Sequence, residues 1–385
     1  MSELEDLRGQ IDDIDAQMVK LFLRRMSVTL KVGRYKKRTG KPVLDGTRER
    51  ELIAAKAALT DDPASKADLA QLYESIMAIS RRQQRMLVRE GDEDEGYARW
   101  SAALSARRTP VAAPRVVYQG EPGAYSEEAA AGFFGEDVET RGLPWFDDAF
   151  DALDRGEADY AILPIENSST GSIRQVYDLL AQHRFYIVGE WQVKVEHCLA
   201  VLPGVRLEDI QSVYSHEQGL QQCDKFLDEH RSWNRVPALD TAGSARQVAQ
   251  TEDRRAAAIC SRRAAERYGL EVLAGPINHN TQNYTRFVVV SPVLELRDGR
   301  DTISALFSLP HQSGSLHEIM TIFAVQGLNL RKIESRPVPD KGWEYRFFLE
   351  CDGDLTAAGM DGVLHELSQL SEDFRILGNF RGYMP

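Results

Sequence analysis

The sequence predicts a multidomain protein with an all-α N-terminal part, an α/β domain and a small α+β module at the C-terminus. Three observations carry this. Residues 1–90 have the 3.6-residue periodicity of helices. From Arg115 onward, short apolar strands alternate with helix patterns, as in α/β folds. From Thr302, the order strand, helix, strand, strand, helix, strand fits a ferredoxin-like module.

Composition narrows the function. At 385 residues the chain has room for two or three domains. Its 43% hydrophobic and 28% charged residues are those of a soluble globular protein. No apolar run approaches the roughly 20 residues that span a bilayer. The opening Met1-Ser2-Glu3-Leu4-Glu5-Asp6 is acidic and lacks the basic-then-apolar order of a signal peptide, so the cytoplasm is the expected location and no membrane partner is expected. Cys198, Cys223, Cys260 and Cys351 are widely spaced, which favours reduced thiols over a zinc site. The eight histidines are scattered, and no metal is expected. A net charge of −12 argues against nucleic acid. An anionic substrate would need local clusters of arginine or lysine.

In the first helix Leu4, Leu7, Ile11, Ile14, Met18, Leu21, Val28 and Val32 form a 3-4 heptad series, which predicts one long helix with a coiled-coil-like seam. Position 25 belongs to that series and is arginine, which is costly on a buried seam unless an anion meets it. Arg48 lies on the second stripe (Arg48, Leu52, Ala55, Leu59), with Asp45 and Glu49 beside it; Ser80 and Gln84 lie on the third (Leu69, Tyr73, Ile76, Ser80, Gln84, Leu87). Two readings fit: a polar network that sets helix register, or a site. Arg8 and Arg25 are 17 residues apart, about 25 Å along one helix, so one small molecule can touch both only if a second chain supplies one of them.

Residues 4–87, through Leu7-Arg8, Arg24-Arg25, Val32-Gly33-Arg34-Tyr35-Lys36, Asp45 and Arg48-Glu49-Arg50, closely resemble the helical chorismate mutase domain of bifunctional chorismate mutase/prephenate dehydratases. The resemblance implies an intertwined homodimer with sites shared between chains and no cofactor. It matches Arg8, Arg25, Lys36, Asp45, Arg48, Glu49, Ser80 and Gln84 to site positions. Arginines would grip the two carboxylates of chorismate and fix its folded conformation. Lys36 and Gln84 would donate to the ether oxygen, where charge develops. Glu49 and Asp45 would orient the ring hydroxyl.

Residues 91–113 read as a linker, with the charge run Asp92-Glu93-Asp94-Glu95 and two prolines between Ala106 and Pro114. Beyond it, four strands run into polar turns that start helices: at Gly120–Ser126, Glu166–Ser172, His216–Gln218 (with one helix continuing through Cys223 and Phe226) and Asp240–Ala245. In parallel sheets such turns gather at one edge, where free N–H groups and hydroxyls bind small anions. The bland alternative is ordinary helix capping. No GxGxxG or Walker motif is present.

These turns, with Pro164-Ile165-Glu166-Asn167-Ser168 and Thr285-Arg286-Phe287, resemble prephenate dehydratase over about 115–291. Glu217 departs from it, standing where proline is common. The resemblance implies two α/β lobes of the periplasmic-binding-protein type with the site in the cleft, and carries Glu166, Asn167, Ser215, Gln222, Ser244, Thr285 and Arg286 to site positions. Thr285 would assist departure of the ring hydroxyl, through a relay by Glu166, a water or the substrate. Arg286 would hold a carboxylate or close the lobes by a salt bridge. Residues 300–385 resemble an ACT domain, a sensor that implies phenylalanine as effector. Gly314-Ser315-Leu316 matches its helix-start motif in part, and Glu334-Ser335-Arg336-Pro337 matches fully.

The expected arrangement is thus a mutase domain at 1–90, a linker at 91–113, a dehydratase domain at 114–292 and the sensor at 300–385. It predicts an enzyme that turns chorismate into prephenate and prephenate into phenylpyruvate. A two-lobed binding protein with a dimerising coiled coil is the rival reading. A mutase fused to a prephenate dehydrogenase would require the dinucleotide fingerprint that is missing.

Overall fold

The computed structural model describes residues 3–89, 95–309, 311, 314–338, 342 and 344–383. Helix α1 (Glu3–Thr39) is one rod of 37 residues, about 55 Å long at 1.5 Å per residue. Helix α3 (Pro63–Arg89) packs alongside it, and α2 (Gly46–Ala57), on the chain's way back, packs on α3. Asp45 caps α2, its carboxylate accepting from the Arg48 amide at 3.0 Å. The C-terminal half of α1 meets α3 through Met26, Thr29 and Gly33. Glycine permits this close approach, because a Cβ at position 33 would lie 3.2 Å from Gln84 Cγ.

The buried stripe of α1 is not the heptad series. Leu4, Leu7, Ile11, Ile14, Met18, Leu21, Val28 and Val32 remain 41–65% exposed. Arg25 stands on the border between the two faces. At about 100° per residue it is roughly 40° from Leu21 on the open side and 40° from Thr29 on the packed side.

The expected linker is only partly a linker. Its residues 91–94 lie outside the described ones, but α4 (Glu95–Ser105) is a helix. Trp100 is buried among Ile303, Phe307, Ile319 and Leu367, so α4 belongs to the core of the C-terminal module. The charge run and small residues disguised one amphipathic helix, anchored by Trp100 with Tyr97 and Leu104 packed beside it.

The α/β domain has two lobes. The first contains β1 (Arg115–Gln119), α5 (Tyr125–Phe134), β2 (Glu139–Leu143), α6 (Phe146–Asp154), β3 (Tyr160–Asn167), β4 (Gly171–Ser172), α7 (Arg174–Gln182) and β5 (Tyr186–Lys194). The second contains β6 (Cys198–Val201), β7 (Ser212–His216), α8 (Glu217–Gln222), α9 (Asp224–Glu229), β8 (Asn234–Ala238), α10 (Thr241–Thr251), β9 (Ala256–Cys260), α11 (Arg262–Arg267) and β10 (Glu271–Ala274). The last strand, β11 (Tyr284–Ser291), returns to the first lobe and pairs antiparallel with β3 and β5. The sheet orders are β2-β1-β3-β11-β5 and β10-β6-β9-β7-β8. The single helix expected through Cys223 is instead α8 and α9, with the chain leaving helical geometry at Cys223. The break frees the Gln222 carbonyl to accept the His279 amide at 2.9 Å from the segment that joins the lobes.

The C-terminal module runs β12 (Thr302–Ser308), α12 (Ser315–Val325), β13 (Leu330–Pro337), β14 (Tyr345–Asp352), α13 (Met360–Leu370) and β15 (Glu372–Phe380). This is the βαββαβ order, folded as the antiparallel sheet β13-β14-β12-β15. Leu306, Phe348, Leu377 and Phe380 enter the same apolar core as Phe150, Leu163 and Tyr177 of the first lobe. At about 1.5–3 kcal/mol per buried large apolar side chain, that shared core makes the module part of the first lobe's support. No helix among the described residues is long and apolar enough to cross a membrane.

Candidate functional site

Two sites emerge. In the helical unit Arg25 meets Ser80 across α1 and α3, and Gln84 lies one turn further along the same face of α3, against Gly33. Arg25 Nη1 donates to Ser80 Oγ at 2.6 Å and Nη2 to Met77 Sδ at 3.6 Å, while Ser80 Oγ donates to the Ile76 carbonyl at 2.7 Å. Burial pulls the Arg25 guanidinium below its ordinary pKa, opposed by Tyr73. Its described hydrogen-bond partners are neutral, so no carboxylate offsets the cost of its partial burial among them. Gln84 is buried, and its Oε1 meets no partner among the described residues. Lys36 Nζ donates to the Val43 carbonyl at 2.6 Å, which ties α1 to the loop before α2 and leaves two ammonium protons for a ligand. The Glu49 carboxylate accepts from Arg81. Asp45 is spent on its capping contact, Arg48 is exposed, and Arg8 is exposed far along α1.

The second site is a cleft of about 440 Å³ between the two lobes. All four strand-to-helix turns line it, through Gln119, Gly120, Tyr125 and Ser126; Asn167 and Thr170; His216, Gln218 and Gly219; and Leu239, Asp240 and Thr241. Thr285 and Gln222 line it as expected. Asn167 Nδ2 donates to Thr285 Oγ1 at 2.9 Å and to Asn283 Oδ1 at 2.8 Å. Asn283 Nδ2 donates to Gln222 Oε1 at 2.9 Å, and His197 Nε2 lies 2.9 Å from that same oxygen. Burial lowers the His197 pKa to about 4, against the raising contact with Gln222. The ring is therefore neutral at pH 7, and its Nε2–H donates to Gln222. Gln222 receives both bonds on oxygen, which leaves its amide N–H groups for the cleft.

Four expected cleft residues are elsewhere. Ser215 and Ser244 are fully buried, with their hydroxyls donated to the Ile259 carbonyl at 2.7 Å and the Asp240 carbonyl at 2.8 Å. They brace the second lobe. Glu166 and Arg286 face the C-terminal module. Successive strand residues point to opposite sides, so Thr285 and Phe287 face the cleft while Arg286 faces away. On β3 the register slips: Arg286 pairs with Glu166 and Phe287 with Pro164. Ile165 is the extra residue of a bulge, and Ile165 and Glu166 both turn to the module side while Pro164 and Asn167 line the cleft.

On the module side Glu166 pairs with Lys332 at 2.7 Å, and Arg286 pairs with Glu350 at 2.5 Å, Glu190 at 3.6 Å and Glu166 at 3.9 Å. Burial works against the Arg286 charge, but Glu350 and Glu190 outweigh it and raise the pKa. The expected sensor motif is drawn in as well. Glu334 accepts from Ser172 Oγ at 2.8 Å, and Arg336 grips Asp178 with two bonds of 3.0 and 2.7 Å. Ser335 and Pro337 extend the same strand. Gly314, at φ +90°, precedes Ser315 and Leu316 at the start of α12.

His197, Asn283 and Tyr125 were not anticipated. Asn283 carried a signal, standing two residues before Thr285 and hence on its face. His197 sits in a segment between the lobes with no motif around it.

The fold and the two sites define a multidomain enzyme with a small-ligand cleft between α/β lobes and a separate cationic site on a helical unit. The chorismate mutase type II family model matches residues 7–85, and the prephenate dehydratase family model matches residues 116–293. The Escherichia coli K12 bifunctional chorismate mutase/prephenate dehydratase is 31% identical over 97% of this chain and 94% of its own length. An Arabidopsis thaliana chloroplastic arogenate dehydratase/prephenate dehydratase is 40% identical over 69% of this chain and 68% of its own. Among solved structures, a prephenate dehydratase from Arthrobacter aurescens in complex with L-Phe is 32% identical, with a TM-score of 0.64 over 70% of this chain and 92% of that one. The chain belongs to the bifunctional chorismate mutase/prephenate dehydratase family.

Proposed function

We propose that the helical unit converts chorismate to prephenate and that the cleft converts prephenate to phenylpyruvate, under control of phenylalanine held by the C-terminal module. The observation that carries the first step is Arg25, a half-buried cation with only neutral described hydrogen-bond partners, with the buried Gln84 one turn beyond its partner Ser80 on α3. Arg25 and Arg48 of one chain and Arg8 of a second copy hold the two carboxylates. Lys36 and the Gln84 amide donate to the ether oxygen as its bond lengthens. The exposed heptad series supports the second copy, because a row of apolar residues on an otherwise polar rod is a coiled-coil seam without its partner.

In the cleft, Asn167 donates to Thr285 Oγ1, so the threonine proton points to the leaving ring hydroxyl. That C–O bond breaks as the bond to the quaternary carboxylate breaks. The electron pair released with CO2 aromatises the ring, and the departing hydroxide takes the Thr285 proton and leaves as water. In this reading Thr285 recovers its proton from a water or the substrate, since Glu166 is paired with Lys332 on the far side of the strand. No lysine or arginine lines the described cleft. The substrate's charge is met by dipoles instead, at the start of α5, where Ala124 offers no side-chain cap. A carboxylate held without a cation is the one most easily lost as CO2.

The module is read as an ACT domain. Gly314, Ser315 and Leu316 supply free N–H groups to the effector's carboxylate, and Glu334, Ser335, Arg336 and Pro337 form the motif strand that also contacts the dehydratase lobe. The L-Phe complex of the Arthrobacter aurescens protein supports phenylalanine as the effector. All four cysteines are free and buried, in keeping with the cytoplasm.

The test is full-length protein given chorismate without a nicotinamide cofactor. Phenylpyruvate is expected from the native protein, accumulated prephenate from Thr285→Ala, and unconsumed chorismate from Arg25→Ala. Undiminished phenylpyruvate from Thr285→Ala would remove the cleft assignment.

A further inference from the structure

The mutase site and the sensor module share one side chain. Arg81 of α3 donates to the Glu49 carboxylate and, through Nε, to Glu318 at 2.8 Å. Arg85, one turn further on, donates to the other oxygen of Glu318. The side chains of Arg81, Glu49 and Glu318 are 14%, 18% and 7% exposed, so solvent screens them weakly. Glu318 lies in the first turn of α12, and its amide donates to the Gly314 carbonyl at 3.0 Å. A parallel bridge of 2.9 Å joins Arg82 to Glu366 of α13. Arg81 also directly follows Ser80, the partner of Arg25.

One guanidinium thus answers to two carboxylates in two domains. Its position is a compromise between them, and moving Glu318 moves the group that fixes Glu49. We propose that Arg81 is a positioning residue of the mutase site and that Glu318 sets its stance, so that the first turn of the sensor helix is read directly at Glu49. The inference rests on the reading of Glu49 as the group that orients the ring hydroxyl. Arg81 itself meets no substrate atom. A lysine in its place keeps the charge but lacks the planar fork that bridges two carboxylates.

The experiment uses the full chain and follows both activities, with the dehydratase rate reporting that each variant is folded. Arg81→Met lowers mutase kcat/KM by about 10- to 100-fold, the worth of one charge-assisted hydrogen bond, and leaves the dehydratase constants unchanged. Arg81→Lys recovers part of the loss. Glu318→Gln keeps mutase turnover within about threefold, well below the loss of one such bond, but abolishes the mutase response to added L-phenylalanine while the dehydratase response persists. Native mutase constants in Arg81→Met overturn the proposal, as does a retained mutase response in Glu318→Gln or a wild-type mutase indifferent to phenylalanine. Glu49→Gln separates the levels. Full mutase activity there removes the role of Glu49 and the inference with it; an inactive Glu49→Gln beside a normal Arg81→Met removes the inference alone.

Discussion

Replacing Arg286 by methionine should destabilise the protein and spare prephenate binding. The side chain is 20% exposed and serves Glu350, Glu190 and Glu166 at 2.5, 3.6 and 3.9 Å. Methionine fills much of the space but leaves buried carboxylates facing one another. Removing one partner of a buried ion pair costs about 3–5 kcal/mol. Glu166 keeps Lys332, and Glu190 is already pushed up to about 7 by burial and so takes a proton readily. The lower end, about 3 kcal/mol, therefore applies. At about 2–4 °C per kcal/mol for a domain of this size, the melting temperature falls by roughly 6–12 °C. Scanning calorimetry of the full chain at neutral pH measures the fall, and steady-state kinetics with prephenate measures KM. An unchanged melting temperature with KM raised about tenfold, a loss of roughly 1.4 kcal/mol of binding, would show Arg286 gripping substrate in the cleft and refute its placement on the module side.

Two further outcomes follow from the packing. Glu190 is raised from 4.5 to about 7, chiefly by burial; the native state keeps a proton that the unfolded chain releases, so this stabilisation is complete below about pH 4.5 and is lost as pH rises to about 7. It amounts to roughly 3 kcal/mol, and Glu190→Gln should flatten the fall in stability across that window in urea titrations. Trp100→Ala should cost about 3–5 kcal/mol, as for a large core side chain, and a loss below about 1 kcal/mol in denaturant unfolding, the scale of a surface change, would return α4 to the status of a tether.

Much of this molecule is legible in its residues. The strand-to-helix turns were readable because glycine, proline and capping residues punctuate apolar runs, and they do line the cleft. The βαββαβ order was readable for the same reason. The heptad series located a real apolar stripe, but periodicity does not say what covers a stripe, and within this chain Met26, Thr29 and Gly33 are buried instead. Glu166 came from a resemblance that names it with its neighbour Asn167; the structure turns Glu166 to the module side, and nothing in Pro164-Ile165-Glu166-Asn167 announces the bulge at Ile165. Ser215 and Ser244 are in the right turns, yet a hydroxyl at such a turn serves the backbone as readily as a ligand, and here both serve carbonyls.

The bulge has an architectural consequence. Through it, β3 and β11 put Asn167 and Thr285 on one side and Glu166 and Arg286 on the other, each pair being register partners. The back wall of the cleft is the floor on which the C-terminal module stands, one peptide thick. The ion pairs of Lys332 and Glu350 are therefore made on the reverse of the same two strands that carry Asn167 and Thr285, so the C-terminal module and the cleft share one layer of sheet.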